Sequence, residues 1–312
     1  MAPALRLFGP HDWAARIPLL VSALGVIAMF GAVTRRRWPD PSAFFVSFTT
    51  IGCLAGAALL LTDAFLVFWF SLTALSLYLA FQPGVSAPRR RAWTLVAAAS
   101  AVAGFLTKGA VAVILPAGIV FLWLLWERRL STLQAQALLP SGLVLAALLA
   151  PLLVLIERHN PGFIRQFVWE EHVGRFLGTR AIQVHEEPPW FFLPVIPLLL
   201  LPWTFFLPRA IRVMVRKRAF GRDSYSRFLL VWVAVVAGFF SAGAGKLMSY
   251  ILPAMVPMGL LLGRWGLAEP TEDSSADRAL WRLGVAGIAI LAAGIPIAWF
   301  AAFFQPSAWA PS

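Results

Sequence analysis

Apolar residues fill this chain in long blocks, separated by short clusters of arginine, proline and glycine. A bilayer-spanning helix needs about 20 mostly apolar residues. Runs of that kind cover 15–34, 43–62, 64–82, 92–107, 109–126, 136–156, 190–208, 228–243, 247–264 and 280–304. The pattern predicts an all-α fold, a polytopic bundle of about ten transmembrane helices with an outer-face cavity. Some runs fall short of a full crossing, which points to tilt, broken ends or partial re-entry. Pro116, Pro151, Pro197, Pro202 and Pro253 lie in or near these runs. They do not argue against spans, because neighbouring helices can satisfy the backbone groups that a proline frees.

Composition agrees. Of 312 residues 60% are hydrophobic and 13% charged, against about 45–50% and about 25% in a soluble domain. Residues 1–312 therefore read as a single integral membrane domain. In a soluble protein the net charge of +12 would suggest nucleic acid; here no nucleic-acid partner is expected, because basic residues gather in the cytoplasmic loops of membrane proteins. The single cysteine, Cys53, permits neither an internal disulfide nor a thiolate zinc site.

Alternating the runs across the bilayer puts 18 of the 26 Lys and Arg on one side, in 35–37, 89–91, 128–129, 209–227, 264 and 278–282. That side is read as cytoplasmic, so both termini are expected to face outward, into the periplasm of a bacterial inner membrane. Segment 265–279 reads as a linker. No internal repeat is visible.

The outer side carries the unusual residues: all four histidines (His11, His159, His172 and His185), and Asp63, Lys108 and Lys246 at boundaries between apolar runs. The long outer loop, 157–189, adds Glu170, Glu171, Arg175 and further charges, and a short helix is expected near 161–177. Ionisable groups at a membrane edge are costly unless paired or wet, which makes them functional candidates. Each also has a plainer reading. Asp63 suits a helix start. Lys108-Gly109 suits a turn with a snorkelling lysine. Ser241–Lys246 suits an ordinary loop, and its Gly-x-Gly-Lys string lacks the strand and spacing of a phosphate-binding P-loop. The histidines suit wet loop positions. The functional reading rests on convergence of acid, base and cation groups on one face.

Several cations at a membrane surface suit a phosphate or pyrophosphate. Phe167, Trp169, Phe176, Trp190, Phe191, Phe192, Trp203 and Tyr250 flank them, although Trp and Tyr are enriched at any membrane interface. A lipid phosphate, its head at the outer boundary and its tail among helices, fits this pattern. A nearby carboxylate or histidine would act as a general base or orient one. Two histidines and several carboxylates permit a divalent metal without demanding it. A transporter fits less well, since transporters hide polar groups near the midplane.

Five stretches, in order, resemble the lipid-linked glycosyltransferases of the GT-C class: the lipid A aminoarabinose transferase and its bacterial relatives in the protein mannosyltransferase superfamily. They are Leu7-Phe8-Gly9 through Trp13, Arg16 and Pro18; Leu61-Thr62-Asp63-Ala64-Phe65-Leu66; Gly104-Phe105-Leu106-Thr107-Lys108-Gly109 with Leu115-Pro116; Glu171-His172-Val173-Gly174-Arg175-Phe176, followed by His185 to Phe192; and Gly245-Lys246-Leu247-Met248-Ser249-Tyr250-Ile251-Leu252-Pro253. The resemblance implies transfer of a sugar from a polyprenyl-phosphate donor to an acceptor (lipid A, another glycolipid, a polymer or a protein) on the periplasmic face of the inner membrane. Carried over by position, Lys108 and Arg175 would hold the donor phosphate and His172 would line the site and could bind a divalent metal. Lys246 and Tyr250 would border sugar and phosphate, and Asp63 would lie near the same cavity. The family also places an Asp-Glu pair and a Glu-Lys-Pro-Pro stretch in a first outer loop, ahead of the region where this sequence starts to match. Three readings follow: a fragment of a longer enzyme; a shortened relative that binds a lipid phosphate, or partners a longer synthase, without catalysis; or an enzyme with a substitute base at Asp63, Glu170 or Glu171.

Overall fold

The computed structural model describes residues 6–9, 11–58, 62–133, 135–174, 176, 186–216, 223–268 and 275–303. They are almost wholly helical. The helices are α1 (Asp12–Arg37), α2 (Ser42–Phe48), α3 (Ile51–Ala58), α4 (Thr62–Ala80), α5 (Ala87–Lys108), α6 (Val111–Trp126) and α7 (Ala135–His159). After the outer loop come α8 (Phe192–Leu199), α9 (Leu207–Arg216), α10 (Ser224–Ala242), α11 (Leu252–Gly266) and α12 (Ser275–Phe303). Among the described residues the only extended pairing is an isolated bridge between Glu186 and Gly245.

All ten apolar runs carry helix. Among the described residues four helices are each long and apolar enough to cross a membrane alone, over Arg16–Arg37, Asp63–Ala80, Leu138–His159 and Ser224–Ala242; Phe192–Leu199 and Trp203–Arg216 reach that length and apolarity only when taken together, and the pair is sharply bent. Two runs read as continuous spans are divided. In 43–62 the break falls at Thr49 and Thr50. The Thr49 hydroxyl donates to the Phe45 carbonyl (2.7 Å) and the Thr50 hydroxyl to that of Ser47 (3.2 Å), while Thr50 Oγ1 accepts the Cys53 amide (3.3 Å). Such bonds compete with the regular ladder. In 190–208 the axis turns by 109° after Leu199, where Pro202 has no amide to continue the helix. The two breaks are joined: the Ile51 amide donates to the Leu201 carbonyl (2.8 Å) and the Trp203 indole to Thr49 Oγ1 (2.8 Å).

The core is aromatic where α1, α4, α6 and α10 meet. Phe30, Phe70, Tyr78, Trp123, Phe228 and Trp232 are fully buried there. Tyr78 stacks on Phe228 with centroids 4.3 Å apart, and Trp232 lies between Phe30 (5.7 Å) and Phe70 (5.6 Å). Between α2 and α11 the contact is backbone on backbone. Gly259 and Gly263 form a G-x-x-x-G pair on α11, and a methyl on either would overlap the Cα of Ser47 or Ala43. In lipid, where burial of apolar side chains gains little, such close approach is what holds helices together. The Ser47 hydroxyl adds a bond to the Val256 carbonyl (2.9 Å).

Candidate functional site

The antiparallel packing of α4 on α5 brings the first turn of α4 beside the last turn of α5. Asp63 sits in that first turn and Lys108 in that last turn, where each charge also opposes the local end of the helix dipole favourably. The chain then reverses at Gly109, whose φ of 77° is the left-handed region that favours glycine, and α6 begins at Val111. A tight tip thus fixes the cation at the mouth of the bundle.

The Lys108 ammonium donates to Asp63 Oδ1. The Asp63 side chain is nearly enclosed, 8% exposed, whereas that of Lys108 keeps 27%. Lys108 Nζ also lies 4.8 Å from the centroid of the Tyr250 ring, a cation–π contact worth about 0.5–2 kcal/mol according to its hydration. Tyr250 comes from a single tight turn, Met248–Ile251, just before α11. The three side chains, far apart in sequence, form one cluster.

That cluster faces a cavity of about 530 Å³. Among the described residues Asp63, Lys108 and Tyr250 are its ionisable lining residues; most of the described wall is apolar, from Leu66, Val111, Ile114, Leu115, Phe167, Phe176, Phe239 and Phe240. The rings support one another: Phe240 with Tyr250 (5.1 Å), Phe239 with Phe240 (5.2 Å), Phe176 with Phe239 (5.1 Å) and Phe105 with Phe167 (5.6 Å). Phe167 arrives on the helix expected near 161–177, found as one α-helical turn, Phe163–Arg165, running into the wider π winding of Gln166–Gly174.

Lys246 is placed differently from Lys108. It is buried, and its ammonium donates to the carbonyls of Glu187 and Gly243, both at 2.6 Å. With the Glu186–Gly245 bridge, and the Ala244 amide bonded to the Phe176 carbonyl (3.1 Å), it ties the outer loop to segment 243–246. Its neighbour Gly245, not Lys246, lines the cavity. Trp203, expected near the outer face, instead lies at the helix break, bonded to Thr49. Trp169 and Trp190 stand on the surface, 64% and 62% exposed. Glu157 accepts the Gly162 and Ile164 amides (2.8 Å each) and so closes the turn after α7. Arg175 and His185 lie outside the described residues, and Glu171 and His172 are described in backbone only. Among the described residues no three His, Cys, Asp or Glu side chains gather as a metal site.

Sequence reasoning missed the wall residues Val111, Ile114, Phe239 and Phe240. Each looks like any lipid-facing residue of a span. The available signal was proximity: the first two follow Lys108 by three and six positions, and the last two precede Gly243 by one helical turn.

Residues 1–155 match the family described as dolichyl-phosphate-mannose-protein mannosyltransferase. The undecaprenyl phosphate-alpha-4-amino-4-deoxy-L-arabinose arabinosyl transferase of Pseudomonas aeruginosa is 34% identical over 265 residues, 82% of this chain and 46% of that protein. The enzyme of the same name from Pseudomonas paraeruginosa is 33% identical over 297 residues, 92% of this chain and 52% of the relative. The crystal structure of ArnT from Cupriavidus metallidurans bound to undecaprenyl phosphate superposes with a TM-score of 0.77 at 23% identity, over 93% of this chain and 51% of that one. The chain spans about half the length of the curated relatives it matches.

Proposed function

Since the chain belongs to the GT-C lipid-linked glycosyltransferases of the protein mannosyltransferase superfamily, we propose that it carries the donor-lipid site of such an enzyme. The enzyme transfers a sugar from a polyprenyl phosphate to an acceptor on the periplasmic face of the bacterial inner membrane. By the names of the relatives, the donor is an undecaprenyl phosphate-linked aminoarabinose, and lipid A is the acceptor this reading favours. The supporting observation is the pairing of one accessible ammonium with an otherwise apolar, aromatic cavity of about 530 Å³. A lipid phosphate has the same division: an anionic head and a hydrocarbon tail.

In this reading the phosphate sits against Lys108, with Arg175 as the second cation. A nucleophilic oxygen of the acceptor attacks the anomeric carbon as the bond from that carbon to the phosphate oxygen breaks. Configuration inverts, the lipid phosphate leaves with the bonding pair, and the acceptor's proton, where it carries one, passes to a carboxylate. Cations fixed where charge develops stabilise the transition state, each by a factor on the order of 10²–10³. Asp63 holds the ammonium in place; it and Glu171 are the acidic candidates for proton transfer. Tyr250 restricts the ammonium from beneath. His172 as ligand of a divalent cation is a separate element of the proposal, read by metal analysis of the purified protein.

The deciding experiment measures binding of undecaprenyl phosphate, then sugar transfer in membranes expressing the gene. Lys108→Ala and Arg175→Ala should abolish both while the protein remains membrane-integrated. Wild-type binding and transfer in both variants would overturn the assignment. Binding without transfer in the unmutated protein would instead support a non-catalytic relative.

A further inference from the structure

The donor site leaves α9 unused, at the opposite, arginine-rich end of the bundle. With the preceding turn Trp203–Phe206, α9 runs at 109° to α8. Its depth is fixed. Buried Arg209 donates to both carboxylate oxygens of Asp277 (3.1 Å each) and to the Gly266 carbonyl, so α9 is pinned where α11 ends and α12 begins. Arg209, Ala210, Val213 and Met214 face inward.

The outward face is divided lengthwise. Ile211 and Val215, 51% and 63% exposed, form one edge. Arg212 and Arg216, also exposed, form the other, one helical turn apart, and make no hydrogen bond or ion pair with another described residue. From 209 to 222 the chain has six basic residues and no acidic one. A helix set sharply off the one before it, with an apolar edge beside a cationic edge, is the arrangement of an interfacial helix. The apolar edge seats among acyl chains, and the arginines meet the headgroup phosphates with planar, two-pronged donors.

We propose that α9 is an interfacial helix that binds anionic phospholipid headgroups in the leaflet on the arginine-rich side, through Arg212 and Arg216. The occupant is a bilayer lipid with a net negative headgroup. Its charge complements a strip with no acidic residue, and Ile211 and Val215 require an acyl neighbour.

The test uses the whole chain in nanodiscs of phosphatidylcholine doped with phosphatidylglycerol. Phosphatidylglycerol retained through delipidation in mild detergent is counted by native mass spectrometry. The expected result is a roughly ten-fold loss of retained phosphatidylglycerol in Arg212→Gln/Arg216→Gln. Arg35→Gln/Arg36→Gln, an equal charge loss at the end of α1, should retain it, and Arg212→Lys/Arg216→Lys should recover part of the binding. Unchanged retention in the Gln/Gln variant, or equal loss in both double variants, would overturn the proposal; equal loss would indicate diffuse attraction to the basic face. Thermal midpoints are recorded for all variants. Should Arg212→Gln/Arg216→Gln unfold, the salt dependence of wild-type retention decides: binding indifferent to salt would refute the headgroup contact.

Discussion

The two ends of the bundle use the same chemistry for different ends. At the arginine-rich end, Arg209 meets Asp277 through two parallel bonds and spends a third donor on the Gly266 carbonyl. Arg227 meets Glu127 at 2.7 Å, and Ser224 donates to the same carboxylate (2.8 Å). The Trp38 indole and the Ser226 hydroxyl both donate to Asp223 (3.0 and 2.7 Å). These charges are locked side chain to side chain and close the loops between spans. At the outer end, Lys108 has one carboxylate partner, a ring beneath it and a face open to a cavity. A fully engaged ion pair fixes structure. A half-engaged one, with donors to spare beside apolar space, suits the anion proposed above. Lys246 shows that being a lysine on the outer side is not enough, since its ammonium donates to the backbone carbonyls of Glu187 and Gly243.

The sharpest test of this contrast is Asp277→Ala. It should leave the Arg209 guanidinium buried without its counter-charge, and removal of one partner from a buried pair costs about 3–5 kcal/mol. Thermal unfolding in detergent should show a marked fall; an unchanged midpoint would mean the pair is not structural. Lys108→Ala should act chiefly on function, with transfer falling on the order of 10²–10³-fold and a smaller fall in midpoint than in Asp277→Ala, since the Asp63 carboxylate left without its partner borders the open cavity. Reduced stability with normal turnover would reverse the roles of the two ends. Lys246→Met comes next. It should weaken the hold on Glu187 and Gly243, where each charged hydrogen bond contributes about 1.5–3 kcal/mol. Protease should then cut the outer loop faster, while undecaprenyl phosphate affinity changes far less than in Lys108→Ala; a loss of affinity as large would make Lys246 a ligand. Tyr250→Leu should cost about 0.5–2 kcal/mol in binding, read by titration, with Tyr250→Phe near wild type if the ring face is what acts.

The smallest effect concerns Asp40, between α1 and α2. Its carboxylate accepts the Ser42 amide (2.9 Å) and the Ser42 hydroxyl (2.8 Å). Those bonds, with the positive charge of Arg264, lower its pKa against the opposing pull of burial. A depressed carboxyl pKa adds stability that is present above the unfolded value, about 3.9, and is lost as pH falls through the lower folded value. Asp40→Asn should therefore cost a little stability at neutral pH and flatten the acid limb of the unfolding profile. An acid limb identical to wild type would remove Asp40 from the account.

The site was half legible in the sequence, and the reason is particular to each residue. Asp63, Lys108 and Tyr250 stood out because a polar or ionisable group at the edge of an apolar run is expensive, so its position alone carries information. The walls did not stand out, because Phe239 or Ile114 facing a cavity and the same residue facing lipid obey one preference. Lys246 read like Lys108 because composition does not record whether an ammonium points to backbone or to open space. The outer-loop helix was visible from spacing, but its π winding was not.

By itself the sequence determined the class of the molecule and its helices. Runs of apolar residues in a bilayer form helices, since each backbone group must bond within its own segment. The tertiary structure decided what depends on neighbours. It set where threonine and proline divide a run and how two breaks bond to each other. It selected, of two outer lysines, the one that meets a carboxylate and a ring at a cavity and the one that is spent on carbonyls. Those outcomes turn on which residues, distant in the chain, arrive within hydrogen-bond reach, and burial and pairing, not residue type, then fix what each charge does.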